Sequence, residues 1–208
     1  MSFKKVIGSI SDKLKLSGGV ITDAIKQNTQ YINAELRVSK IAREGINALK
    51  TYVDAETPRL KTSVSALVRK IENIEKAREE KADQLQKKFI DLLNSIVEKE
   101  KILNEKLKNA DAAQKALIKA ENKLAKLEAK PDEKKNPEQI DEAKAVLKEA
   151  EIANQDADSE AKSFENTYNK EKAEIVESIL KNIIDIEGSF HQKALNQIGA
   201  KKEETINL

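Results

Sequence analysis

Seven lysines, Lys101, Lys108, Lys115, Lys119, Lys123, Lys126 and Lys130, are spaced so that a helix would carry them within roughly 40° of one line, taking ~100° per residue. A row of ammonium groups attracts an extended polyanion. Glu105 touches the edge of the row, whereas Asp111, Glu121 and Glu128 lie off it. Surface helices ordinarily mix Glu with Lys for support between residues four apart, so a stripe of one sign points to a partner. The competing reading is a plain solvated face. Lys134 and Lys135 follow the stripe, and Lys144 and Lys148 extend the positive patch into the next segment.

The N-terminal residues offer a different chemistry. Phe3, Val6, Ile7, Ile10 and Leu14 gather within roughly 100° of helical arc, with Lys4 and Lys5 beside them. This is the pattern of a helix that inserts its apolar side at the headgroup boundary of a membrane. The competing readings are a segment packed on the body of the protein and a transit peptide, the latter at odds with its lack of Arg.

Catalysis finds little to work with. The chain has one His and no Cys. His191 stands four residues after Glu187 instead of three, and no second His exists to complete a di-iron carboxylate site. No Gly-rich phosphate loop is present. No catalytic residue, metal, cofactor or small-molecule substrate is therefore expected, and His191 beside Phe190 reads as a packed residue near a helix seam.

Long helices must position these groups. Of 208 residues 36% are charged and 3% aromatic, with six Gly and three Pro, a makeup of extended helices more than of a compact mixed fold. Net charge is +2, so electrostatic action must come from local asymmetry. Three helices are expected, at about 21–53, 57–130 and 137–198. The first would bury Ile21, Ile25, Ile32, Leu36, Ile46 and Leu49. The second opens with Thr57 as cap and Pro58 in the first turn, then meets no Gly or Pro until Pro131. Its apolar seam includes Leu85, Phe89, Leu92, Ile96, Leu103 and Leu107. Asn136-Pro137 starts the third. Short links make neighbours antiparallel, giving an all-α fold of three long antiparallel coiled-coil helices. Ser17, Gly18 and Gly19 set off residues 1–19 as a separate segment, 20–200 form the domain, and 201–208 are a polar tail.

Seam residues are mostly Ala and Leu around the 131–136 turn and bulkier far from it, as in a thin two-helix hairpin that widens into a multi-helix base. The base carries more apolar surface than three helices need. An isologous homodimer through Ile179, Ile183, Ile186 and Phe190 is expected, with Val176, Leu180 and Ile184 forming a second stripe.

This pattern resembles the BAR (Bin/amphiphysin/Rvs) membrane-curvature domain. Three stretches look closest to the Chibby-interacting BAR family: Glu56-Thr57-Pro58-x-Leu60-Lys61, Asn136-Pro137, and Ile186-Glu187-x-x-Phe190-His191-x-Lys193-Ala194-Leu195. The resemblance implies a crescent homodimer that binds anionic phospholipid and senses or generates curvature, peripheral to a membrane on its cytoplasmic side. A small adaptor protein is a further partner in such a family. The all-lysine tip and the short segment after the third helix depart from the family pattern, so Chibby binding is not carried over. Two other classes compete. One is a coiled-coil scaffold that binds proteins without touching lipid. The other is nucleic-acid binding, which the scarcity of aromatics and of groove-reading motifs opposes.

Overall fold

The computed structural model describes residues 3–55 and 57–199, with side chains from Gly19 onward. The described residues form long helices and no strand. These are α1 (Phe3–Asp54), α2 (Pro58–Leu85), a π turn at Gln86–Ile90, α3 (Asp91–Glu128), a short 3-10 turn at Asp132–Lys134 and α4 (Pro137–Gly199). Counting α2, the π turn and α3 together as one helix, three long helices result, as expected.

Two boundaries differ from expectation. Helix α1 continues through Gly18 and Gly19, where the sequence sets a separate segment. Each Gly costs about 1 kcal/mol relative to Ala, which weakens a helix without ending it. The second helix, expected as uninterrupted, contains the π turn, closed by the Asp91 N–H donating to the Gln86 carbonyl. That turn adds one residue to the local repeat. Phe89 and Ile90 are consequently both buried, and Leu93 enters the core where a regular helix would place Leu92. The predicted inserting side chains, from Phe3 to Leu14, and the 201–208 tail lie outside the described side chains.

The chain divides into two compact units. The three-helix unit comprises 21–95 and 174–199. Its helices are antiparallel neighbours: Arg43 pairs with Glu79 and Lys50 with Glu72 between α1 and α2, while Lys193 pairs with Glu80 between α4 and α2. Its core contains Ile32, Ile46, Val68, Leu85, Phe89, Ile179, Ile186 and Phe190. Leu36 and Leu49, expected inside, are each 42% exposed because, among the described side chains, α1 turns Ile21, Ile32, Ser39, Ile46 and Val53 inward.

The second unit joins the start of α1, up to Val20, with a hairpin, 96–173, that packs α3 against α4 around Ile96, Leu103, Leu107, Ala110, Ala120, Ala143, Ala161 and Tyr168. Lys99–Glu171 and Lys106–Glu160 set its antiparallel register. The Asn136 side-chain oxygen accepts the Glu138 N–H at 3.0 Å and the Gln139 N–H at 3.4 Å, capping α4 as its sequence predicts. Thr57 precedes Pro58 in extended conformation, but its side chain makes no capping bond.

Candidate membrane-binding face and pairing surface

Helix α3 turns Leu103, Leu107 and Ala110 into the hairpin core. Helical periodicity then puts the lysine stripe on the opposite side. Lys101, Lys108, Lys115, Lys119, Lys123, Lys126 and Lys130 are all exposed, as are Lys134, Lys135, Lys144 and Lys148. Among the described residues, Lys115 is the one stripe lysine in an ion pair, with Asp111 one turn before it. Asp111 therefore reaches the stripe, although its angular position sets it off the line. Lys135 pairs with Asp132 inside the turn. Two acidic residues of α4 reach across to α3 while staying partly in solvent: Glu171 and Glu160 hold Lys99 and Lys106. Those pairs flank the core and leave the stripe itself positive.

The residues expected to pair two copies are placed differently. Ile179, Ile186 and Phe190 are 4%, 3% and 8% exposed within a single chain, and Ile183 is half-buried. They pack α4 onto its own neighbours, so they are not an available surface. What remains exposed on α4 is the second stripe, with Val176 at 40%, Leu180 at 60%, Ile184 at 72%, Leu195 at 61% and Ile198 at 71%. Tyr31, Val38, Ile41, Leu49 and Tyr52 form a matching exposed row on α1. Part of that row, with Ala42, Gly45, Ile46, Ala48 and Ile71, lines a shallow apolar groove of about 590 Å³.

Sequence reasoning missed an ionic cluster inside the three-helix unit. The Lys81 side chain is 3% exposed and donates to Glu35 at 2.7 Å, Tyr31 Oη at 2.8 Å and Glu187 at 3.4 Å. Its ammonium also lies 4.6 Å from the centre of the Phe190 ring. Arg78 bridges Glu35 and Glu75. Burial alone would raise the Glu35 pKa, but hydrogen bonds from Lys81, Arg78 and Tyr31 outweigh it and hold the carboxyl at about 2. The available signal was Lys81 in a seam slot, seven residues after Ile74 and four before Leu85. Glu100 was legible in the same way, between Ile96 and Leu103. It is buried in the hairpin unit, and desolvation raises its pKa against the pull of Lys172. His191, expected to be packed, has a side chain 68% exposed, 3.7 Å from Glu187.

No protein-family description and no curated protein sequence matches the chain. Among solved structures it is similar to the N-terminal I-BAR domain (1–259) of D. discoideum IBARa. The TM-score is 0.51 at 18% identity, over 94% of this chain and 88% of that one. The fold is BAR-like. At that identity the likeness concerns architecture alone, and the lysine face has to be judged by its own chemistry. No helix among the described residues is long and apolar enough to cross a membrane.

Proposed function

We propose that the protein binds anionic phospholipid membranes through the lysine face of α3 and the turn after it, as a homodimer paired through the three-helix unit. One observation carries this reading. In a BAR-like fold, the side of α3 away from its core presents seven exposed lysines, of which Lys115 alone is ion-paired among the described residues. Each lysine near an anionic leaflet contributes about 1 kcal/mol, screened beyond a Debye length of about 8–10 Å. Seven lysines with Lys134 and Lys135, doubled by a second copy, favour firm but salt-sensitive binding.

A rigid array of this kind prefers whichever membrane shape brings most of its lysines to lipid at once, which is how it would sense or generate curvature. Phe3, Val6, Ile7, Ile10 and Leu14, with Lys4 and Lys5, would act as a wedge in one leaflet. Kinship to the Chibby-interacting BAR proteins rests on the three short stretches quoted above. A protein-binding scaffold is the second reading, favoured by the exposed Ile102, Ile118, Val146 and Ile152 of the hairpin unit.

The test is co-sedimentation with phosphatidylserine vesicles of several diameters, at low and high salt, with and without residues 1–16. Binding that falls with salt and varies with diameter supports the proposal. Binding that ignores salt, or is missing at low salt, contradicts it.

A further inference from the structure

Helix α1 crosses the boundary of the second unit at Val20, while α3 enters that unit at Ile96 and α4 leaves it at Ala173. From Phe3 to Val20 the helix is about 27 Å long at 1.5 Å per residue, enough to run beside roughly 96–113 of α3 and 156–173 of α4. Burial in the hairpin changes over that length. Inside it, the seam residues Ile96, Leu103, Leu107, Ala110, Ala161 and Tyr168 are 1–7% exposed. Beyond it, Leu117, Leu124, Leu127, Ile140 and Leu147 are half-buried, and the small Ala120 and Ala143 are the buried residues that remain. A large side chain is fully enclosed when many neighbours surround it, which two helices supply poorly and three supply well. The start of α1 is the third wall of the hairpin base.

One charged residue lies in the walled stretch. Glu100 is 6% exposed, and desolvation there outweighs the attraction of Lys172. The neighbouring Lys99 is held by Glu171, and among the described residues Glu100 has no salt bridge. A carboxylate shut away from water without a close partner opposes whatever covers it. The joint behind the wall is weak too. Gly18 and Gly19 stand beside the unit boundary, and glycine holds a helix less firmly than alanine does. A Cβ at Gly19 would meet nothing within 4 Å, so no close neighbour calls for glycine there. Finally, Phe3, Val6, Ile7, Ile10 and Leu14 make a single apolar side, which hairpin and bilayer cannot hold at once.

We infer that residues 3–18 are a displaceable third helix, which closes the hairpin base in solution and turns away at Gly18–Gly19 to enter the bilayer. Moving from hairpin to lipid keeps the apolar side out of water and lets water reach Glu100. Release therefore costs little. The lysine face, once on lipid, holds the segment beside the leaflet, so that insertion becomes an intramolecular step. This inference rests on the wedge proposed above and adds where the wedge is kept before it meets lipid.

The chain has no Trp, so Phe3→Trp places a single reporter in the full chain. In solution the indole is expected to be shielded from acrylamide, relative to the same chain unfolded in urea. On phosphatidylserine vesicles with brominated acyl chains, bromine should quench it. At equal amounts of vesicle-bound protein, adding Glu100→Leu should lower the ratio of inserted to docked segment about tenfold, because an apolar residue replaces a buried charge. Adding Gly19→Ala should lower it about fivefold by firming the joint. An indole as open to acrylamide in the folded protein as in urea overturns the docking, even where bromine quenches it on vesicles. Shielding in solution with no bromine quenching on bound vesicles overturns the wedge reading itself. An unchanged ratio in Glu100→Leu, with helical circular dichroism intact, overturns the role of Glu100; Glu100→Gln, closer in shape, decides the point where leucine disturbs folding.

Discussion

Neutralising Glu35 should remove a large part of the protein's stability at neutral pH and none of it in strong acid. The Glu35 side chain is 12% exposed and held by Lys81 and Arg78. Its carboxyl is lowered from an ordinary 4.5 to about 2. That difference corresponds to about 3 kcal/mol favouring the folded state when Glu35 is ionised. The sign is that of a depressed acid: the contribution is complete above the unfolded value of 4.5 and is lost as pH falls through about 2. Glu35→Gln keeps the shape and removes the charge. Urea unfolding followed by circular dichroism should therefore show a loss of about 3 kcal/mol at neutral pH, with parent and variant converging as the solution is acidified. Other carboxylates titrate over the same range, including Glu79 and Glu80, both depressed by their own partners. The parent-minus-variant difference isolates Glu35. A neutral-pH difference under about 0.5 kcal/mol, the range of an ordinary surface substitution, would refute the reasoning.

Two further substitutions test the hairpin unit. Glu100→Gln should raise the melting temperature at neutral pH, because desolvation penalises the charged carboxylate there; the gain should shrink as pH falls and the parent residue takes up its proton. A lower melting temperature at neutral pH would mean that attraction to Lys172 outweighs burial. Asn136→Ala removes the acceptor for the Glu138 and Gln139 N–H groups and should cost about 1 kcal/mol of stability, measured by the same urea titration.

How far the sequence discloses this molecule depends on the scale at which it is read. Long helices and their antiparallel order follow from apolar steps of three and four, and Pro58 and Asn136-Pro137 mark two starts to the residue. The π turn was hidden, since Leu85, Phe89 and Leu92 fit an ordinary helix as well as Leu85, Phe89, Ile90 and Leu93 fit the real one. Packing against α4, with Asn182 donating weakly to the Lys88 carbonyl at 3.5 Å, accompanies the second arrangement. The lysine stripe was legible because exposure follows periodicity. Which apolar row of α4 its own chain covers was not, because α4 carries two such rows and composition does not choose between them. Lys81 and Glu100 stand in seam slots where only neighbours far along the chain decide whether a charge is tolerated. His191 looked packed for the same reason: it occupies a seam slot on the row that a single chain leaves open.

The central claim is that lipid meets the positive side of α3. Its most direct test is vesicle co-sedimentation at low salt with Lys119, Lys123, Lys126 and Lys130 all changed to Glu, checked for unchanged helicity. These four are exposed and take no part in the Lys99–Glu171 and Lys106–Glu160 pairs that join α3 to α4, so folding should survive the exchange. The account predicts that the variant stays in the supernatant while the parent pellets with phosphatidylserine vesicles. A folded variant that still pellets as the parent does would contradict it.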